Sequence, residues 1–173
     1  MIKETTGVIT PTAENIPEAL TERSQWVCWR LETRDGKPTK VPYIAGTNSR
    51  ASSTDLMTWS SFEYALAAYE TGEPPYGGIG FVFCSADPFV GIDLDDCRNL
   101  ESGEVAPWAQ KIIDRVQEGY IEISPSGAGV HIIVEGTVRD GRTRKEVYEK
   151  GERVGRVEMY GRAKFFTITG GLL

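Results

Sequence analysis

The sequence predicts an α+β fold, a mainly antiparallel sheet covered by helices on one face. Three observations predict it. Short runs rich in β-branched and aromatic residues recur between Gly, Pro and Asp turn signals. Two longer segments repeat apolar residues at helical spacing instead. The strand-like runs also come in successive pairs joined by short connections, which favours antiparallel neighbours.

Residues 1–12 read as a loose arm, and residues 14–23 as a short helix. Gln25 to Glu32 is aromatic and β-branched and reads as a strand. Asp35-Gly36 is a strong hairpin dipeptide, so Lys40 to Ile44 is the returning strand. Trp59, Phe62, Leu66 and Tyr69 mark a helix over 58–70, ended by the Gly/Pro-rich stretch 72–78. Strands follow at Ile79–Phe83 and Phe89–Asp95. Pro107 suits the first position of a second helix, with Trp108, Ile112 and Val116 on one face and Gly119 ending it. Tyr120–Ser124 and Val130–Glu135 form another strand pair around a Pro-Ser-Gly-Ala-Gly turn. Residues 136–154 read as polar and irregular, and Arg156–Tyr160 and Lys164–Thr169 as two last strands.

A chain of 173 residues suffices for one domain with a real core, or for two small lobes sharing a sheet. The expected division is the arm, 1–12, and one domain, 13–173. No run approaches the roughly 18 apolar residues of a membrane span, and the N-terminus lacks a signal-like apolar core. A cytoplasmic location with no membrane partner is the default expectation. Cys28, Cys84 and Cys97 form no C-x-x-C pair, and one histidine offers them little help with zinc, so buried reduced thiols are expected. The net charge of −6 is unevenly spread. From Arg139 to Lys164, nine basic residues face five acidic ones, a net of +4 that leaves −10 for the rest. That basic quarter could face a phosphate backbone, or be a solvated, salt-bridged hairpin.

Three strands share a peculiarity. In Gly91–Asp95, Ile92 and Leu94 point one way while Asp93 and Asp95 point the other, about 7 Å apart. His131 stands opposite Val130, Ile132 and Val134, and Glu158 opposite Val157 and Met159. Each strand is apolar behind and ionisable in front. As neighbours in one sheet they would bring two Asp, one Glu and one His together. Carboxylates clustered without matching cations repel each other, and a divalent ion removes that cost. Hard oxygen ligands favour Mg²⁺ or Mn²⁺ over zinc. Just before the sole histidine lies Ser-Pro-Ser-Gly-Ala-Gly, where Ser126, Gly127 and Gly129 could let backbone N–H groups cradle an anion.

These residues carry a family resemblance. The chain resembles the catalytic domain of archaeo-eukaryotic-type primases, in particular phage- and plasmid-encoded primase-polymerases. The specific pieces are Gly91-Ile-Asp-Leu-Asp-Asp-Cys97 and Ser124-Pro-Ser-Gly-Ala-Gly-Val-His131. Weaker ones run in order around them: Trp26–Trp29 with Lys37–Tyr43, Thr58-Trp59, Gly78–Phe83, Val157-Glu-Met-Tyr160 and Phe165–Gly170. The resemblance implies a two-lobed core with an RRM-like sheet. It implies that Asp93, Asp95 and Glu158 hold two metal ions and act in catalysis, and that His131 contacts a nucleotide triphosphate. Similar proteins carry an Arg-aromatic pair near the last strand, where this chain has Lys164-Phe165; Lys lacks the bidentate fork. Lys40 is a further candidate for phosphate.

The implied activity is template-directed nucleotidyl transfer, by a DNA primase, a DNA polymerase or both, in phage or plasmid replication. The implied partners are a single-stranded or primed DNA template and dNTP or NTP. Similar proteins continue into a helical accessory domain and a replicative helicase, which leaves open whether this chain is an excised domain. Rival readings are a non-catalytic nucleotide- or nucleic-acid-binding module, a metal-dependent nuclease, and a rolling-circle nicking enzyme. The last needs a histidine pair that the sequence lacks.

Overall fold

The computed structural model describes residues 9–173. Most of the expected loose arm lies outside those residues; within them, Ile9 N–H donates to the Pro125 carbonyl and Thr12 N–H to that of Thr169.

The architecture is α+β with antiparallel pairing throughout the two sheets. The first hairpin joins β1 (Trp26–Arg34) to β2 (Lys37–Tyr43). Its turn residues Asp35 and Gly36 both sit at positive φ, 50° and 73°, as a two-residue primed turn requires. β3 (Gly78–Phe83) pairs with β1, and the last strand, β9 (Lys164–Ile168), pairs with β3, giving the order β2-β1-β3-β9. The second sheet contains β4 (Phe89–Asp95), β5 (Tyr120–Ile123), β6 (Val130–Glu135), β7 (Arg142–Glu149) and β8 (Glu152–Tyr160), in the order β5-β6-β4-β8-β7.

Two sheets therefore replace the single sheet expected from sequence. Alternation reveals which face of a strand is apolar, but which sheet a strand joins depends on partners distant in the chain. The segment 136–154 corrects a second expectation: most of it is β7 and the start of β8, a hairpin with a register shift at Val147/Tyr148. The expected helix over 14–23 is broken by Pro17 into a 3₁₀ turn and a single turn, α1 (Glu18–Thr21). Helix α2 (Phe62–Thr71) forms, but it starts four residues later than expected and leaves Trp59 at the end of a preceding 3₁₀ turn. The Ser61 side chain accepts the Tyr64 N–H at its start, and Gly72 ends it at φ 69°. Helix α3 (Pro107–Ile113) starts at Pro107 but stops well before Gly119.

One apolar cluster joins α2, the four-stranded sheet and one face of the five-stranded sheet. It includes Ala65, Trp26, Phe81, Phe83 and Phe166 packed with Phe89, Ile133 and Tyr160. A second cluster packs Leu94, Val130 and Ile132, on the opposite face of the five-stranded sheet, against Ala109, Trp108 and Ile112 of α3. Gly91 permits the first contact. A Cβ there would lie 2.7 Å from the rings of both Phe166 and Phe83, so β4 reaches the aromatic layer only as glycine.

Candidate active site

The register of the five-stranded sheet aligns one transverse row: Glu122 with His131, His131 with Asp93, Asp93 with Glu158, and Glu158 with Arg144. Directly paired residues project to the same side. Their strand neighbours Ile121, Val130, Leu94 and Val157 belong to the cluster under α3, so all five ionisable side chains stand on the face turned away from that helix. Asp95 lies on the same face two residues along β4, opposite Arg156. The Gly91 contact with Phe166 brings this face against β9, and the site opens along that seam.

Carboxylate oxygens of Asp93, Asp95 and Glu158 lie within 4.8 Å of one another. Burial raises Asp93 above the ordinary carboxylate value; the His131 charge opposes that rise and the Asp95 charge adds to it. Arginines answer the other two acids. Arg156 hydrogen-bonds Asp95. Arg142 Nη2 and Arg144 Nε each lie 3.6 Å from Glu158 Oε1.

His131 is enclosed, at 5 % exposure. Its Nδ1 lies 3.1 Å from Glu122 Oε1, its Nε2 lies 3.7 Å from Asp93 Oδ1, and its ring centroid is 4.9 Å from that of Phe166. Burial alone would lower the imidazole pKa. The Glu122 hydrogen bond and the charges of Asp93 and Glu122 outweigh burial and raise it above the ordinary value.

A cleft of about 380 Å³ opens over these groups, within the range of small-molecule sites. Asp93, Asp95, His131 and Glu158 line it on one side, and Lys40, Lys164 and Phe165 are among the residues that line the rest. Lys40 Nζ lies 5.9 Å from the Trp29 ring centroid, and burial lowers its pKa against the pull of Asp93 and Asp95. Lys164 Nζ sits 4.8 Å from the Tyr160 ring centroid.

Seven of the ten residues singled out from sequence thus meet in one cleft. Ser126, Gly127 and Gly129 are not among its lining residues. Their bonds serve the turn itself: Gly127 N–H donates to the Ser124 carbonyl, Gly129 N–H to Ser124 Oγ, and Ser126 Oγ lies 3.1 Å from Ser124 Oγ. Gly127 has φ +77°, and a Cβ on Gly129 would lie 2.8 Å from the Leu94 carbonyl oxygen. Both glycines are explained by backbone geometry and packing.

Sequence reasoning passed over Glu122 and Arg156. Glu122 carries the same signal as its neighbours in the row, an acid between Ile121 and Ile123, and it is fully buried. Arg156 shares the strand face of Glu158, two residues away.

The donor set is all oxygen: three carboxylates, two of them on one strand and the third paired across from Asp93. That chemistry suits a hard divalent cation such as Mg²⁺ or Mn²⁺. Among the described residues no helix is long and apolar enough to cross a membrane.

No protein-family profile matches the chain. It is 36 % identical over 155 residues to the DNA primase-polymerase of Nitratiruptor phage NrS-1, an alignment covering 88 % of this chain. The chain spans about a fifth of that protein's length.

Proposed function

Because the chain belongs with the phage-type primase-polymerase domains, we propose that it performs template-directed nucleotidyl transfer on DNA with nucleoside triphosphates. The observation that carries this reading is the convergence of Asp93, Asp95 and Glu158 to within 4.8 Å, beside a buried histidine in a cleft that two lysines also line.

In the proposed reaction the 3′-hydroxyl of a growing strand attacks the α-phosphate of the incoming nucleotide, and pyrophosphate leaves. Asp93, Asp95 and Glu158 would hold Mg²⁺ or Mn²⁺, which when bound lowers the cost of gathering charged oxygens. His131 Nε2 faces the cleft beside Asp93 and is assigned to the triphosphate. Lys40 of β2 and Lys164 of β9 supply positive charge to the cleft, and Phe165 is assigned to the sugar. The catalytic contribution of these side chains is positioning and charge balance. A DNA template, single-stranded or primed, is the implied partner. A helical accessory domain or a replicative helicase is a further proposed partner.

The test is primer extension with Mg²⁺ or Mn²⁺ by the wild type and by the double variant Asp93→Asn/Asp95→Asn, with folding checked by circular dichroism. The expected result is loss of metal-dependent extension in a folded variant. Retained extension would overturn the assignment. Cleavage of DNA without added nucleotide would instead identify a nuclease.

A further inference from the structure

Glu122 stands outside the metal-ligating set, yet it is the most completely buried acid in the row, at 0 % exposure. Its Oε2 accepts three hydrogen bonds: Tyr120 Oη at 2.6 Å, Thr169 N–H at 2.8 Å and Gly170 N–H at 2.9 Å. Its Oε1 faces His131 Nδ1 at 3.1 Å. Thr169 and Gly170 directly follow β9, whereas Tyr120 and His131 belong to the five-stranded sheet. The carboxylate therefore bridges the two sheets at the point where the cleft begins.

We propose that Glu122 is a positioning residue that fixes the proton of His131 on Nδ1 and aims Nε2 into the cleft. Donors and acceptors decide the arrangement. Three donors converge on Oε2, which leaves Oε1 as the oxygen facing His131, and an ionised carboxylate can only accept there. Oε1 then accepts from His131, which requires a proton on Nδ1. Phe166 lies against the imidazole face with 30° between the rings, so rotation about the ring axis is opposed as well. A nitrogen anchored in this way presents its other ring nitrogen in a defined direction, as outer carboxylate partners do for ligating histidines. On the reading above, that direction is toward the triphosphate, and the inference rests on that reading for its functional half.

The whole chain contains a single histidine, so an imidazole ¹⁵N–¹H correlation spectrum of the intact protein has one set of signals to interpret. The expected wild-type pattern carries a proton on Nδ1. A neutral ring protonated only on Nε2 would overturn the proposal without any variant being made. Glu122→Gln keeps the shape but must turn its amide donor toward His131 if its carbonyl is to keep the three donors on the other side. The variant should then show Nδ1 unprotonated. In primer extension it should raise the KM for the nucleotide by about tenfold or more, the scale of orienting partners, with a smaller change in kcat. A purely structural role would lower the active fraction and hence the apparent kcat, leaving KM and the imidazole pattern of the folded fraction unchanged; that outcome would overturn the proposal. If Glu122→Gln fails to fold, the wild-type spectrum still decides. Absence of extension by the wild type would refute the polymerising function, while the spectrum would continue to report on the Glu122–His131 pair.

Discussion

Replacing Asp93 by Asn should stabilise the metal-free protein and abolish its stabilisation by divalent ions. Asp93 has neighbouring carboxylate oxygens on Asp95 and Glu158 within 4.8 Å. At an effective dielectric of about 20, each such pair costs roughly 3.5 kcal/mol before compensation. Arg156 on Asp95, the two arginines near Glu158, and His131 3.7 Å from Asp93 offset most of that. Burial keeps the Asp93 carboxyl above its ordinary value, with the His131 charge opposing the rise and the Asp95 charge adding to it. A raised folded-state pKa contributes stability that is fully present below the unfolded value, about 3.9. That stability is lost as pH rises through the folded value. At pH 7 the ionised carboxylate is therefore a net cost, and an isosteric amide removes it. A gain of about 1 kcal/mol corresponds to roughly 2–4 °C in a domain of this size. With Mn²⁺ at a hundred times its Kd the wild type gains about 2.7 kcal/mol and overtakes the variant. Differential scanning fluorimetry at pH 7, with EDTA or with a Mn²⁺ series, reads both effects. A variant less stable than wild type in EDTA would refute the electrostatic reasoning. Equal Mn²⁺ shifts in both proteins would refute the ligand assignment.

Two further outcomes test other parts of the structure. Gly91→Ala places a methyl group 2.7 Å from the Phe166 and Phe83 rings; overpacking of this kind costs about 1–3 kcal/mol, and urea unfolding should show a lower midpoint at unchanged slope. Burial pushes the Cys28 thiol up to about 12, so the folded chain keeps a proton that the unfolded chain sheds from about pH 8.5. The associated stability is intact below that pH and erodes as pH rises toward 12. The alkaline decline in Tm should accordingly be shallower in Cys28→Ala than in the wild type, and parallel declines would contradict the burial effect.

How much of this was legible in the sequence depends on which physical rule each feature obeys. Asp93, His131 and Glu158 could be assigned to ionisable strand faces because side-chain alternation has period two whatever the partners are. Their adjacency could not, since it requires β4 to sit between β6 and β8, strands reached only after long intervening segments. The second sheet was hidden for the same reason: β9 returns to β3 across about half of the chain. β7 was hidden differently. Arg142–Glu149 has no continuous apolar face, and six of its eight residues are exposed. It forms as an edge strand held by backbone pairing to β8 and by the Arg153–Glu146 ion pair between the two strands. Glu122 was legible by alternation, but an acid in a four-residue strand reads as solvated until its burial is known.

The balance of charge across the cleft bears on how an acidic protein could work on an anionic polymer. The basic quarter of the sequence was open to two readings, a phosphate surface or a salt-bridged hairpin, and much of its charge is engaged in the second way. Arg153 pairs with Glu146 and Asp96, and Arg156 with Asp95, while Arg142 and Arg144 face Glu158. Lys40 and Lys164 rest instead against the aromatic rings of Trp29 and Tyr160, in the cleft that the carboxylates also line. On the proposed reading, a nucleotide with its cations would satisfy Asp95 and Glu158 directly. The arginines now answering those acids would then become available to phosphate. The net charge of −6 would therefore be a poor guide to the site, because the ligand changes which charges are paired.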